Sequence, residues 1–146
     1  MTRPVDPALV VAAASAFIGT PYRHQASLEG VGCDCLGLVR GVWRRLHGRE
    51  PERVPAYAPD WTTPGEPEQL WTALDRHMIA RPDTGPEAGD VLLFRMSAHA
   101  PAKHLAIAVD PATMIHAYSG AAVARTAIGP WWSRRIVARF AFPTMD

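Results

Sequence analysis

The sequence predicts an α+β fold, with N-terminal helices packed on a five- to six-stranded antiparallel sheet. Three observations predict it. Apolar residues recur at helical spacing through the first half of the chain. From Gly89 the period changes to two, and the second half falls into runs of strand length. Turn-forming breaks at Asp110-Pro111-Ala112 and Ser119-Gly120 separate some of those runs. Helices followed by consecutive strands make one sheet with the helices on it.

The elements follow in order. Asp6 as N-cap, Pro7 at the first helical position and Gly19 just past the end describe a first helix. Arg3 and the mild apolar stretch of residues 9–18 loosely imitate a secretory leader, but Asp6 and Pro7 interrupt it and its alanines make it weakly hydrophobic. The sequence therefore carries no convincing signal peptide. A turn-rich loop over 19–32 leads into a second helix over about 35–46. Leu38, Val39, Val42, Trp43 and Leu46 form its apolar stripe, Arg40, Arg44 and Arg45 fall on the other face, and Gly48 stops it. Residues 49–67 contain Pro51, Pro55, Pro59, Pro64 and Pro67 and read as an extended connection. A third helix over about 66–80 carries Leu70, Trp71, Leu74 and Met78 on one stripe. Strands are expected over 91–95, 105–109, 114–118, 123–128 and 136–142. A boundary within 49–67 would leave neither half enough core, so residues 1–146 read as one domain.

Composition narrows the function classes. With 146 residues and a net charge of +1, the chain lacks the basic excess that draws proteins to nucleic acid. At 48% hydrophobic and 20% charged it is not a disordered segment. No apolar run approaches the roughly 18 residues of a membrane span. Two cysteines cannot build a disulfide scaffold.

Those cysteines, Cys33 and Cys35, lie one residue apart, and Cys35 stands where loop becomes helix. The first N–H groups of a helix lack internal partners and favour negative charge, which biases a thiol there toward the nucleophilic thiolate. Flanking Gly32 and Gly37 permit close approach of another backbone or a substrate. The plain alternative is a packed cysteine acting as a small hydrophobe. A nucleophilic thiol needs a base. His104 opens one expected strand and His116 lies in the next, joined by Asp110-Pro111-Ala112. A three-residue loop there sets His116 opposite Ala106, with His104 its diagonal neighbour on the same face, about 7 Å away. One imidazole then orients the other. A loop one residue longer would flip one histidine to the opposite face.

These residues carry a family resemblance. Asp34-Cys35-Leu36-Gly37-Leu38-Val39 resembles the Asp-Cys-Ser-Gly-Leu nucleophile motif of the NlpC-type cell-wall peptidases, a bacterial branch of the papain-like cysteine peptidases. Gly89-Asp90-Val91-Leu92 looks like their Gly-Asp-Leu strand, and His104-Leu105-Ala106-Ile107 like their His-Val-Gly-Ile strand. Met114-Ile115-His116-Ala117 is similar to their closing Ile-His-Ala element, and Gly19-Thr20-Pro21-Tyr22 to the loop that precedes the nucleophile. Each motif alone is weak, but five in order are specific. The resemblance implies a papain-like NlpC-type fold with Cys35 as nucleophile, His104 as general base and acid, and His116 orienting His104. It implies Tyr22 and the Cys35 backbone N–H as oxyanion or substrate contacts. The substrate it implies is the peptidoglycan stem peptide, cut at an amide bond, often between D-glutamate and diaminopimelate. No cofactor and no metal are implied.

Two departures bear on substrate preference. Leu36 replaces the family's serine, and Arg23-His24-Gln25-Ala26 stands where Trp-Gly-Gly is usual. The Tyr22-Arg23-His24-Gln25 run, with Gly32-Cys33-Asp34-Cys35 and Trp43-Arg44-Arg45, looks most like the subgroup from tailed-phage and gene-transfer-agent tails. That likeness implies tail-hub or baseplate proteins as partners, a place in the tail of a phage-like particle, and local penetration of a cell wall, without nucleic-acid binding or membrane insertion.

Three alternatives compete. Cys33, Cys35 and His24 with His104 or His116 would make a zinc site, but Cys-x-Cys is tighter than the usual ligand spacing. A Cys33–Cys35 disulfide would be a strained, readily reduced ring. A catalytically silent assembly module of a tail hub would use a patch such as Trp131-Trp132 beside Arg134-Arg135, which reads equally as a packed turn.

Overall fold

The structure is a computed structural model and describes residues 2–54 and 68–145. Pro55, Pro59, Pro64, Pro67 and the expected helix start at Glu66 lie outside the described residues. Helix α1 spans Pro7–Ser15, with the Asp6 carboxylate accepting from the Ala8 N–H at 3.0 Å. A small hairpin of β1 (Ser27–Leu28) and β2 (Gly32–Cys33) occupies the loop before α2 (Cys35–His47). Asp34 caps α2 and Gly48, with φ of 87°, closes it in the left-handed conformation. Helix α3 (Gln69–His77) and strand β3 (Ile79–Arg81) follow. Then come β4 (Val91–Phe94), β5 (His104–Asp110), β6 (Thr113–His116), β7 (Ala124–Ala127), the short α4 (Pro130–Ser133) and β8 (Ile136–Ala141).

Six of these strands form one antiparallel sheet in the order β3-β8-β4-β5-β6-β7. One face carries Val91, Leu93, Leu105, Ile107, Ile115 and Phe140, packed on Val10 and Phe17 of the N-terminal segment and on Leu38, Val39 and Val42 of α2. Each fully buried aliphatic side chain there stabilises the fold by about 1.5–3 kcal/mol. The helices meet closely because residue 41 is glycine: a Cβ there would lie 2.2 Å from the Phe17 ring. The opposite face buries Leu92, Phe94, Ala106, Ala108 and Met114 under Met96, Ile128, Trp132 and Ile136. The sheet is thus covered on both sides, which accounts for the continuous burial of β4.

The expected helices and strands are present, with corrections at their ends: α1 stops at Ser15, short of the expected stop at Gly19, and β6 ends at His116, short of Tyr118. The third helix does not run to Ala80. Met78 leaves it with φ of −120° and ψ of 169°, and residues 79–81 extend the sheet as β3. Ile79, Ala80 and Arg81 pair with Ala141, Phe140 and Arg139, so a pairing distant in sequence overrides the local helical stripe.

The β5–β6 hairpin keeps the expected register by a different turn. Ile107 pairs Ile115 and Ala108 pairs Met114, but Asp110 pairs Thr113, leaving Val109 as a bulge before a two-residue turn. The Asp110 carboxylate accepts from the Ala112 and Thr113 N–H groups, each at 2.8 Å, and holds that turn.

The Asp90 of the Gly-Asp run is structural. Asp90 and Arg139, each about 4% exposed, pair at 2.7 Å. Arg139 also donates to the Pro82 carbonyl at 2.6 Å and to Thr84 Oγ1 at 2.9 Å, tying residues 82–90 to β8. Replacing Asp90 with alanine removes the buried carboxylate and leaves the guanidinium paired at 2.8 Å with the exposed Glu87. Asp90→Ala is expected to lower the unfolding free energy by roughly 1.5–3 kcal/mol in urea titration. A loss under about 1 kcal/mol would contradict this role.

Candidate active site

The site begins at the start of α2. The Asp34 carboxylate accepts from the Gly37 N–H at 2.7 Å and from the Gln25 N–H at 2.7 Å, so one side chain caps the helix and pins the preceding loop to it. Ser27 Oγ adds a bond to the Gly37 carbonyl at 2.6 Å. A Cβ at Gly37 would fall 1.9 Å from the Ala26 carbonyl oxygen, and one at Gly32 would fall 2.9 Å from the Arg23 Cβ. The close approach expected at these glycines is made by the chain's own loop. Cys35, the first residue of α2, is half-buried.

Cys35 shares a cavity of about 350 Å³ with Tyr22, His24, Lys103, His104, Tyr118 and Trp131. Its thiol donates to the Lys103 carbonyl oxygen at 3.6 Å, one residue before β5. The hairpin register brings His104 and His116 together as expected, with His104 Nε2 2.9 Å from His116 Nδ1. The chain continues to β7, where Thr126 Oγ1 lies 3.1 Å from His116 Nε2. Since Nε2 of His104 faces His116, Nδ1 is the ring nitrogen left for a thiol proton.

Aromatic rings enclose this pair. The Trp132 ring centroid lies 5.1 Å from both imidazoles and 5.3 Å from those of Phe94 and Tyr118. Tyr118 stands 5.4 Å from His104. Trp131, at the rim, carries the Arg135 guanidinium 3.7 Å above its ring. The Trp131-Trp132 run is therefore divided, one ring at the mouth of the cavity and one covering the histidines.

Burial dominates the electrostatics. Burial first, then His116 and Lys103, lower the His104 pKa to about 3. Burial lowers that of His116 to about 4. Burial, and then the Asp34 carboxylate, push the Cys35 thiol up to about 12 against the pull of the Leu105, Leu36 and Cys35 backbone N–H groups. The thiolate bias expected from the helix start is thus reversed, because the cap that builds the helix terminus is itself an anion beside the sulfur. Tyr22 is held above the ordinary phenol value by burial and then by Cys35 and Asp34, so its hydroxyl stays a proton donor.

Cys33 is fully buried in the main core, donates to the Asp34 carbonyl at 3.1 Å, and is pushed up to about 12 by burial and Asp34. Among the described residues, no three His, Cys, Asp or Glu side chains converge as a metal site. Both cysteines carry thiols. Sequence reasoning did not single out Thr126, Trp132 or Lys103 as parts of the site. Strand alternation offered a signal for Thr126, which lies on the same face as His116 once His116 pairs Ala124.

Residues 19–140 match the sequence profile of the NlpC/P60 family. The crystal structure of the NlpC/p60 domain of peptidoglycan hydrolase SagA is similar at a TM-score of 0.66 and 24% identity, over 94% of this chain and 100% of that one. An NlpC/P60 family protein from Bacillus cereus matches at a TM-score of 0.66 and 17% identity, over 94% of this chain and 40% of its own. A Staphylococcus aureus protein described as similar to lipoprotein, of the NLP/P60 family, matches at 0.65 and 16%, over 94% and 43%. The chain thus spans the whole of the first and about two fifths of the other two. At these identities the likeness establishes the fold, helices on a six-stranded antiparallel sheet. No curated protein matches the chain.

The neutral histidine pair makes stability depend on pH. Above the ordinary histidine value of 6.5 the folded and unfolded chains are equally deprotonated at these sites. Below 6.5 the unfolded chain takes up protons that the folded pair refuses until about 4 and about 3, so stability is lost as pH falls through that window. The urea midpoint is expected to hold steady above about pH 7 and to drop between about pH 6.5 and 5, before most carboxylates titrate. A midpoint flat across that interval would contradict the burial of two neutral imidazoles.

Proposed function

The chain belongs to the NlpC/P60 family, and from that premise we propose that it is a thiol endopeptidase cleaving amide bonds in the stem peptides of peptidoglycan. The observation that carries the reading is the His104–His116 hydrogen bond in the wall of the cavity that holds the Cys35 thiol. In this mechanism Cys35 Sγ passes its proton to His104 Nδ1 and attacks the scissile carbonyl. The oxyanion is held by the Cys35 backbone N–H and the Tyr22 hydroxyl, contacts worth several kcal/mol in such sites. As the intermediate collapses, the C–N bond breaks, the amine leaves with the proton from His104, and a thioester remains on sulfur. Water then gives a proton to His104 and attacks the thioester; the acid departs and sulfur regains its proton. His116 keeps the His104 ring aimed throughout.

A neutral imidazole, unlike an imidazolium, has a ring nitrogen able to accept the thiol proton. The substrate excludes water from a cavity already walled by Trp131 and Tyr118, so the charge formed on His104 and the oxyanion is met by fixed groups.

The particular setting proposed is the tail of a phage-like particle, with tail-hub or baseplate proteins as partners and local opening of a cell wall as the task. Its support is the Tyr22-Arg23-His24-Gln25 run together with Gly32-Cys33-Asp34-Cys35 and Trp43-Arg44-Arg45. In particles carrying Cys35→Ala, normal assembly with poor delivery fits this role. Failed assembly would favour the alternative of a catalytically silent hub module.

The enzymatic test uses purified muropeptides read by mass. Cys35→Ala is expected to lose activity at least about a thousandfold while keeping its thermal melting profile. Hydrolysis retained in that variant would overturn the mechanism.

A further inference from the structure

We propose that Thr126, on the outermost strand of the sheet, is a positioning residue that completes the productive protonation pattern of both histidines by accepting the Nε2 proton of His116. The inference deepens the peptidase reading and rests on it. Its basis is a chain of two hydrogen bonds, His104 Nε2 to His116 Nδ1 at 2.9 Å and His116 Nε2 to Thr126 Oγ1 at 3.1 Å.

Proton accounting along the chain gives the direction. For His104 Nδ1 to take the Cys35 proton, it must rest unprotonated, which puts the ring hydrogen of neutral His104 on Nε2. That N–H needs an acceptor, so His116 Nδ1 must be bare and the His116 hydrogen must sit on Nε2. The His116 Nε2–H in turn needs an acceptor, and Thr126 Oγ1 supplies it. The opposite pattern places hydrogen on His116 Nδ1, makes His104 Nε2 the acceptor, and leaves His104 Nδ1 already protonated. In that pattern the thiol has no base. A hydroxyl can also donate, so Thr126 does not force the direction alone; it supplies the acceptor needed by the direction that the Cys35 proton requires.

The same geometry explains why the terminal group is a hydroxyl. His116 is 5% exposed and His104 forms an imidazolium beside it during turnover. A carboxylate in place of Thr126 would favour a charged His116 and set two cations against each other. A neutral acceptor fixes the proton without adding charge. Sulfur, two imidazoles and one hydroxyl then span α2, β5, β6 and β7, and the outermost strand contributes to the site by its side chain alone.

The test compares Thr126→Val, which keeps the shape and removes the oxygen, with Thr126→Ser, which keeps the oxygen, in the full chain. Two readouts are taken. Nitrogen-15 NMR of histidine-labelled protein reports which ring nitrogen carries hydrogen, independently of catalysis. Steady-state kinetics on muropeptides separates kcat from KM. Wild type and Thr126→Ser are expected to carry hydrogen on Nε2 of both His104 and His116. Thr126→Val is expected to show a substantial share with hydrogen on His116 Nδ1, with kcat lowered roughly tenfold or more and KM within about twofold. Wild-type tautomers and wild-type kcat in Thr126→Val would overturn the proposal, as would failure of Thr126→Ser to retain both. A wild-type chain inert on muropeptides would instead refute the peptidase reading, and the NMR comparison would still decide the positioning claim.

Discussion

The register between β5 and β6 decides whether this molecule has a site at all. Side chains alternate along a strand, so one residue of slip would send His116 into the helix-packed face beside Ile107 and turn Ile115 out of it. The Val109 bulge and the Asp110 turn hold the pairing in which His116 and His104 share the second face. Everything downstream inherits that placement. The 2.9 Å bond between the imidazoles, the cover of Trp132, and the alignment of Thr126 all assume it.

A second constraint sets the chemistry. Asp34 is required at the helix start because the Gly37 and Gln25 N–H groups need an acceptor there. Its negative charge then opposes ionisation of the neighbouring thiol, and burial opposes it further. Burial likewise keeps the histidines neutral. Under the proposed mechanism the site therefore rests as thiol and imidazole, with the thiol donating to the Lys103 carbonyl oxygen, and charge appears only when a substrate is present to receive it. Such a site is quiet toward chance electrophiles between turnovers.

Much of this was legible in the sequence where the determinants are local. The α2 boundaries follow from Asp34 and Gly48, which act within a turn of themselves. The histidine pairing could be anticipated because only residues 110–113 separate the expected strands, leaving few registers to choose among. Strand β3 was not legible, since residues 79–81 become extended by pairing with β8 some sixty positions away. The thiol's resistance to ionisation was not legible either. The helix terminus alone argues for the opposite shift, and only the tertiary surroundings reverse it. Thr126 lies beyond a longer irregular connection after His116, and without its length resolved into turns the β6–β7 register cannot be assigned.

The central claim is that Cys35 and His104 rest uncharged, and the pH dependence of Cys35 alkylation tests it most directly. Iodoacetamide labelling is followed from about pH 5 to about pH 10, with mass spectrometry assigning the label to Cys35 rather than the buried Cys33. The rate is expected to keep climbing beyond about pH 9, since only the rare thiolate reacts. A rate already at its plateau below about pH 7 would mean a standing thiolate–imidazolium pair, and would contradict the account.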